Sequence, residues 1–363
     1  MKKSWIAIVV ALLAIAYPAS AWFIGKNVES SLVANTQRTL AAAPYLKVVK
    51  RNYQGGVFSS TEESTIEIAG DLFRSLESMQ KTSEENPDEP SDGVDPDAAT
   101  EEPAAARAVP IKPITVTVRN HVKHGPFAGG GLALAKIDTE LVFDEKVQQA
   151  ISTAFAGKKP LEISTTMNFA GGGTSLMTSP AVTLSPKEGA GTLNWQGLQG
   201  KVDFTKDMAT YKGDITAAGF EFTGGPKKET IKMAGLHLVT DKRRLNDVSM
   251  FYFGKDNGIV KEMSFSSASD PSKAFTLKDI TYVGDTNEAG GFADIIAKMG
   301  ANQVMVGADG YGPAHYDFSL KHLHAPTLEK FFKAFGEIYS GKHKTPEEMS
   351  AATFAPWKNF GPE

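Results

Sequence analysis

The chain has 363 residues, 41 % of them hydrophobic and 22 % charged, enough apolar material for one large folded body or two smaller ones. It contains no cysteine, which excludes disulfides, thiolate metal sites and cysteine nucleophiles. The net charge of −4 hides nine carboxylates crowded between Glu84 and Glu102, so the remainder is mildly basic, far short of a nucleic-acid footprint.

The first 25 residues set the compartment. Lys2 and Lys3 precede a run without charge from Ser4 to Gly25. As a helix this run reaches roughly 30 Å, enough for a bilayer core. The two lysines favour the cytoplasmic side, so the body is expected outside the cytoplasm. Ala19-Ser20-Ala21 offers a cleavage site for a secretory signal, but Trp22, Phe23 and Ile24 carry the apolar run past it. The expectation is therefore an uncleaved anchor over residues 1–25, with Trp22 at the membrane–water interface.

Val28, Leu32, Val33, Leu40 and Ala43 recur at helical spacing up to Pro44, which ends the helix. Tyr45 to Tyr53 reads as a strand. Gln54-Gly55-Gly56 is a turn, and the alternating run to Ile68 completes a hairpin. Residues 26–80 thus begin the body. Residues 81–110, rich in proline, acid and alanine, have too little to bury to offset their ordering entropy and read as a disordered insertion. The rest, 111–363, is a β-rich body. Ile114, Val116 and Val118 alternate with threonines. Leu132–Phe143 alternates again, and Asp144–Phe155 is a short helix with Val147, Ala150, Ile151 and Ala154 on one face.

From about 160 to 325 short alternating runs arrive at the spacing of an antiparallel meander of about ten strands. Strict alternation gives such a sheet one apolar and one wet face. Thr327 caps a final helix through Ser340, with Leu328, Phe331, Phe332, Phe335 and Ile338 in one stripe. The fold class is therefore mainly β (α+β), an N-terminal membrane helix followed by a curved antiparallel sheet with a few covering helices. Two modest helices leave part of the apolar face for a second copy, a further C-terminal segment or lipid. A two-layer sandwich is the competing arrangement.

No catalytic constellation emerges. Neither GxSxG nor GxxxxGK[ST] is present. Gly129-Gly130-Gly131 and Gly171-Gly172-Gly173 read as hairpin turns or bends. His322 and His324, two apart on a strand, share a face and with His315 could hold zinc. Tyr316 and Phe318 on that face, and the want of a nearby carboxylate, favour a role in the fold. His121 and His124 read as turn-fixing residues. Asp203, Asp207 and Asp214 have lysine neighbours (Lys201, Lys206, Lys212) and read as a solvated face. No catalytic, cofactor or metal residue is assigned.

Two motifs carry a resemblance. Tyr53-Gln54-Gly55-Gly56-Val57-Phe58-Ser59-Ser60 resembles the YxxGxFSS element of YdgA-like bacterial envelope proteins. His124-Gly125-Pro126-Phe127 is similar to that family's HGPF element. Tyr53, Gly56, Phe58, Ser59, Ser60, His124, Gly125, Pro126 and Phe127 are accordingly the motif residues, expected to serve the fold. The acidic insertion departs from the family pattern. Members are often longer, and this chain stops at Glu363 just after a helix, so further C-terminal strands are expected. The resemblance implies an inner-membrane protein facing the periplasm, and a homodimer. It transfers no catalytic residue. The functional expectation is a non-enzymatic, membrane-anchored envelope protein. It takes a lipid, another apolar ligand or a protein partner on its sheet, or acts as a scaffold. The alternative is an envelope-polymer hydrolase.

Overall fold

A computed structural model describes residues 17–34, 36–37, 46–68, 114–185, 191–225, 228–246, 251–337 and 351. A 16-stranded antiparallel sheet dominates them. It is built by β1 (Leu46–Gly55), β2 (Ser59–Ile68), β3 (Ile114–His124), β4 (Ala135–Val142), β5 (Glu162–Met167) and β6 (Gly173–Ser179). The short pair β7 (Val182–Leu184) and β8 (Thr192–Trp195) follows, then β9 (Leu198–Phe204). Five long strands come next: β10 (Thr210–Gly224), β11 (Glu229–Arg244), β12 (Tyr252–Ser267), β13 (Phe275–Ala289) and β14 (Phe292–Val306). The last are β15 (Asp309–Tyr311) and β16 (Ala314–His324). Neighbours in the sheet are nearly all neighbours in sequence; β9 follows β6 directly, β7 and β8 form a flap on β10, and β15 and β16 both pair with β14.

Among the described residues three α-helices of eight or more residues accompany the sheet: α1 (residues 17–34), α2 (Glu145–Ala154) and α3 (Ala325–Glu337). Asp144 starts α2 by accepting from the Val147 N–H, a capping bond that satisfies one orphan donor of the first turn. α3 begins two residues before the expected cap. The Ala325 N–H goes to the Gly291 carbonyl, and Thr327, already inside the helix, bonds His324 Nδ1 instead.

The sheet has more strands than the alternation suggested, and they are longer. Glycines with positive φ lie inside long strands. Gly235 (φ 66°) sits in β11 and Gly254 (φ 133°) in β12. Gly235 marks a line across the sheet. Regular pairing is interrupted at the same level between β10 and β11, β11 and β12, β12 and β13, and β13 and β14. Asp279 on that line in β13 also has positive φ, 49°. The apolar positions change parity there. Ile231 and Met233 lie on one side of the line, Leu236 and Leu238 on the other. Glycine tolerates the left-handed backbone that such a bend requires.

Among the described residues two clusters form the buried core. Val28 of α1 packs on Val122, Ala135, Ile137 and Met167, with Ile24, Leu32 and Leu134 around them. Phe253, Ala293, Ala325 and Leu328 form the second, joined by Leu245, Phe251, Ile295 and Leu323. Among the described residues no helix is long and apolar enough to cross a membrane. Residues 4–16, the larger part of the expected anchor, lie outside the described residues, as do the acidic insertion at 81–110 and residues 338–350 and 352–363.

Candidate functional site

The two sequence motifs meet at one end of the sheet and form a seat for α1. β2 pairs with β3 so that Ser60 faces Val122 and Ser59 faces Lys123. The His124 N–H donates to the Phe58 carbonyl at 2.9 Å, and the Gly56 N–H closes its turn on the Ser59 carbonyl at 2.8 Å. These bonds hold the β1–β2 turn against the start of the β3–β4 connection.

α1 lies on this seat through small residues one turn apart. His124 is 3 % exposed, and its Nδ1 is 2.9 Å from the Ala21 carbonyl. A carbonyl only accepts, so Nδ1 carries the proton. Nε2 is buried without a hydrogen-bond partner among the described residues. The ring is pressed on Gly25: a Cβ there would fall 2.6–2.9 Å from Cε1, Nε2 and Nδ1. Gly125 (φ 129°) permits the equally close pass beside Ala21, where a Cβ would meet the alanine methyl at 3.2 Å. The Tyr53 hydroxyl bonds Ser60 Oγ at 2.9 Å and lies 3.3 Å from the Gly25 carbonyl. Beyond them Tyr17 stacks on Phe58, ring centroids 5.4 Å apart, and lies 6.1 Å from Phe127. The motif residues therefore fix the angle and height of α1.

A polar network continues below the seat. Glu62 is 1 % exposed. It accepts from Arg51 Nε (2.9 Å), Ser64 Oγ (3.0 Å) and Asn120 Nδ2 (2.7 Å), and the Arg51 guanidinium forms an ion pair with it. Asn120 Oδ1 in turn accepts from Thr139. A buried carboxylate with three donors and a paired guanidinium is held rigidly and charge-compensated. Sequence reading passed over Glu62, and took Ala21 and Gly25 only as part of the anchor and its cleavage site. The available signals were an acid between two serines of one strand face, and two small residues four apart in a helix.

The histidines of β16 do not converge. His322 stacks on Phe292, centroids 4.0 Å apart, and its positive φ (60°) marks a bulge. His315 pairs with Gly300, and seven residues of strand separate it from His322, about 23 Å at 3.3 Å per residue. Among the described residues no group of three metal-ligating side chains exists. Asp203, Asp214 and their lysines form surface pairs: Lys201–Asp203 at 2.7 Å, Lys212–Asp241 at 2.8 Å and His237–Asp214 at 3.1 Å. An open groove of about 650 Å³ lies between the α2–β5 connection and the β6–β7 turn; its charged residues are Lys158, Lys159 and Glu162.

The long strands carry apolar ladders in register. One runs Phe222, Ile231, Phe265, Phe275, Val306, and the next Phe220, Met233, Met263, Leu277, Val304, Tyr311. Across the bend, Ile215, Leu238, Tyr282, Met299 and Tyr316 align, with Gly258 as the rung of β12. Between them run polar rungs such as Lys232–Glu262 and Lys255–Asp285. These ladders are open to solvent: Ile231 is 46 %, Met263 45 %, Met299 47 % and Tyr316 58 % exposed.

No curated protein and no solved structure matches the chain. A family described as "Bacterial protein of unknown function (DUF945)" matches residues 1–359. The chain belongs to this bacterial family.

Proposed function

We propose that this is a non-enzymatic binding protein of the bacterial envelope, tethered to the inner membrane by residues 4–25, with its sheet on the periplasmic side. Its exposed ladders receive an apolar ligand, of which a membrane lipid is the nearest at hand, or the same surface of a second copy. The observation that carries this reading is the row of open apolar rungs across β11–β16. Burying such rungs gains about 25 cal/mol per Å², a driving force that a purely structural surface would leave unused. The uncharged run from Ser4 to Gly25, the two lysines before it and the resemblance to YdgA-like envelope proteins support the compartment.

The test is in-cell photo-crosslinking with a photoactivatable residue at Met263, Met299 or Tyr316, and at Asn257 as a control outside the ladders. Capture of an acyl lipid, or of a second copy, at the ladder positions and not at Asn257 is expected. Equal, weak capture at all four positions would refute the reading.

A further inference from the structure

We infer that the end of the sheet on which α1 is seated is itself a membrane-contacting rim, resting on the headgroup region of the bilayer. The inference rests on the anchor reading above but concerns other residues. In an antiparallel meander alternate connections fall at the same end. Here those are the β1–β2 turn, the β3–β4 connection and the β5–β6 turn. Each carries a large apolar side chain pointing into solvent: Phe58 (45 % exposed), Phe127 and Leu132 (60 % and 78 %) and Phe169 (56 %). The turns are tied side by side. His124 N–H bonds Phe58 O in the first pair, and Leu134 N–H bonds Met167 O in the second.

Turn tips ordinarily carry polar residues and glycine. Three successive tips that each expose an apolar ring or chain at one end of a sheet form a patch with a use. The chain itself indicates the occupant. Tyr17 touches both Phe58 and Phe127, and the residues immediately before it in sequence are the uncharged run Ser4–Ala16. Where that run enters a bilayer, the rim stands at the interface, the level at which aromatic side chains are most at home. Trp22 and Phe23, exposed on α1, lie within two turns of Tyr17.

Charge agrees with this placement. Lys123 and Lys136 face each other across β3 and β4, next to the tips, and Lys206 lies beside Gly171 of the β5–β6 turn. Two lysines directly opposite repel one another unless an anion lies between or near them. Anionic headgroups would supply it. The nine carboxylates of Glu84–Glu102 belong to the segment joining Ile68 to Ile114, and both residues lie at the opposite end of the sheet.

The absence of cysteine makes the test direct. The full chain would carry one nitroxide at a time through Phe58→Cys, Phe127→Cys, Leu132→Cys or Phe169→Cys. Lys158→Cys, in the α2–β5 connection at the opposite end, is the control. Each variant would be reconstituted in vesicles of phosphatidylethanolamine and phosphatidylglycerol. Floatation reads the anchor, and relative accessibility to oxygen and to a soluble nickel complex reads the depth. The expected result is that all variants float, that the rim labels lie about 5–10 Å into the interface, and that the Lys158 label is in water. If the chain floats and the rim labels are as open to nickel as the control, the rim proposal fails and the anchor stands. Labels immobilised and shielded from both reagents would mean a protein cover, which also overturns it. A chain that does not float defeats anchor and rim together.

Discussion

Substituting Gly25 by alanine should unseat α1. In a helix interior glycine is about 1 kcal/mol worse than alanine, so on propensity alone the change would stabilise. The structure opposes it. The added methyl would lie 2.6 Å from Cε1 and 2.8 Å from Nε2 of a histidine that is 3 % exposed and bonded to the Ala21 carbonyl. Contacts that close require the ring to leave or the helix to lift. Overpacking of this kind costs about 1–3 kcal/mol, and a displaced ring also forfeits a hydrogen bond worth about 1 kcal/mol. The net expectation is a loss of about 1–3 kcal/mol, several degrees in Tm for a body of this size. Thermal melts of the full chain followed by circular dichroism would measure it. A double-mutant cycle isolates the contact. In Gly25→Ala/His124→Ala the methyl enters space vacated by the ring, so the double variant should be more stable than the sum of the single losses by about 1 kcal/mol. Additivity within about 0.5 kcal/mol, or a Gly25→Ala protein more stable than the wild type, would refute the account of the seat.

Glu62→Ala should cost about 3–5 kcal/mol, because Arg51 and Asn120 are left half-buried without their carboxylate; chemical denaturation would show it, and a loss under 1 kcal/mol would mean that water replaces the acid. Deleting residues 84–105 should leave Tm nearly unchanged, since β2 and β3 are paired over ten residues without them; a drop of many degrees would show that the segment packs. His322→Ala with His324→Ala should leave metal content unaltered by elemental analysis, and stoichiometric zinc lost on substitution would overturn the stacking role given to His322. The carboxyl of Asp203 is held below its ordinary 3.8 by hydrogen bonds from Lys201 and Thr174. Its contribution to stability is therefore present above that value and is lost as pH falls through the lowered one. Asp203→Asn should flatten the acid limb of a Tm–pH profile, and an unchanged limb would show that the bonds are not made in solution.

Much of the architecture was legible because a strand has a period of two. The alternations at Ile114–Val118 and Leu161–Phe169 name their strands without help, and Asp144 announces α2. The long strands were harder to read. Gly235 and Gly254 look like turns in the sequence, and only the pairing of β11 with β10 and β12 shows each strand continuing through them. The apolar pattern changes parity at Gly235, so a reader following strict alternation ends one strand and starts another where there is a single bent one.

The site divides in the same way. The composition of the first 25 residues and the two short motifs could be read directly, because charge, hydropathy and turn chemistry are local properties. What the motifs hold could not be read. His124 is 103 residues from Ala21 and 99 from Gly25, and their contact depends on α1 lying across β3 and β4. The burial of Glu62 similarly depends on Arg51 and Asn120 arriving from the strands on either side. Likewise, Phe58, Phe127, Leu132 and Phe169 are scattered apolar residues in sequence. They become a rim only because an antiparallel meander returns every second connection to the same end of the sheet. Periodicity and composition are written residue by residue, whereas shared burial and shared edges are properties of chain segments that only the packed sheet brings together.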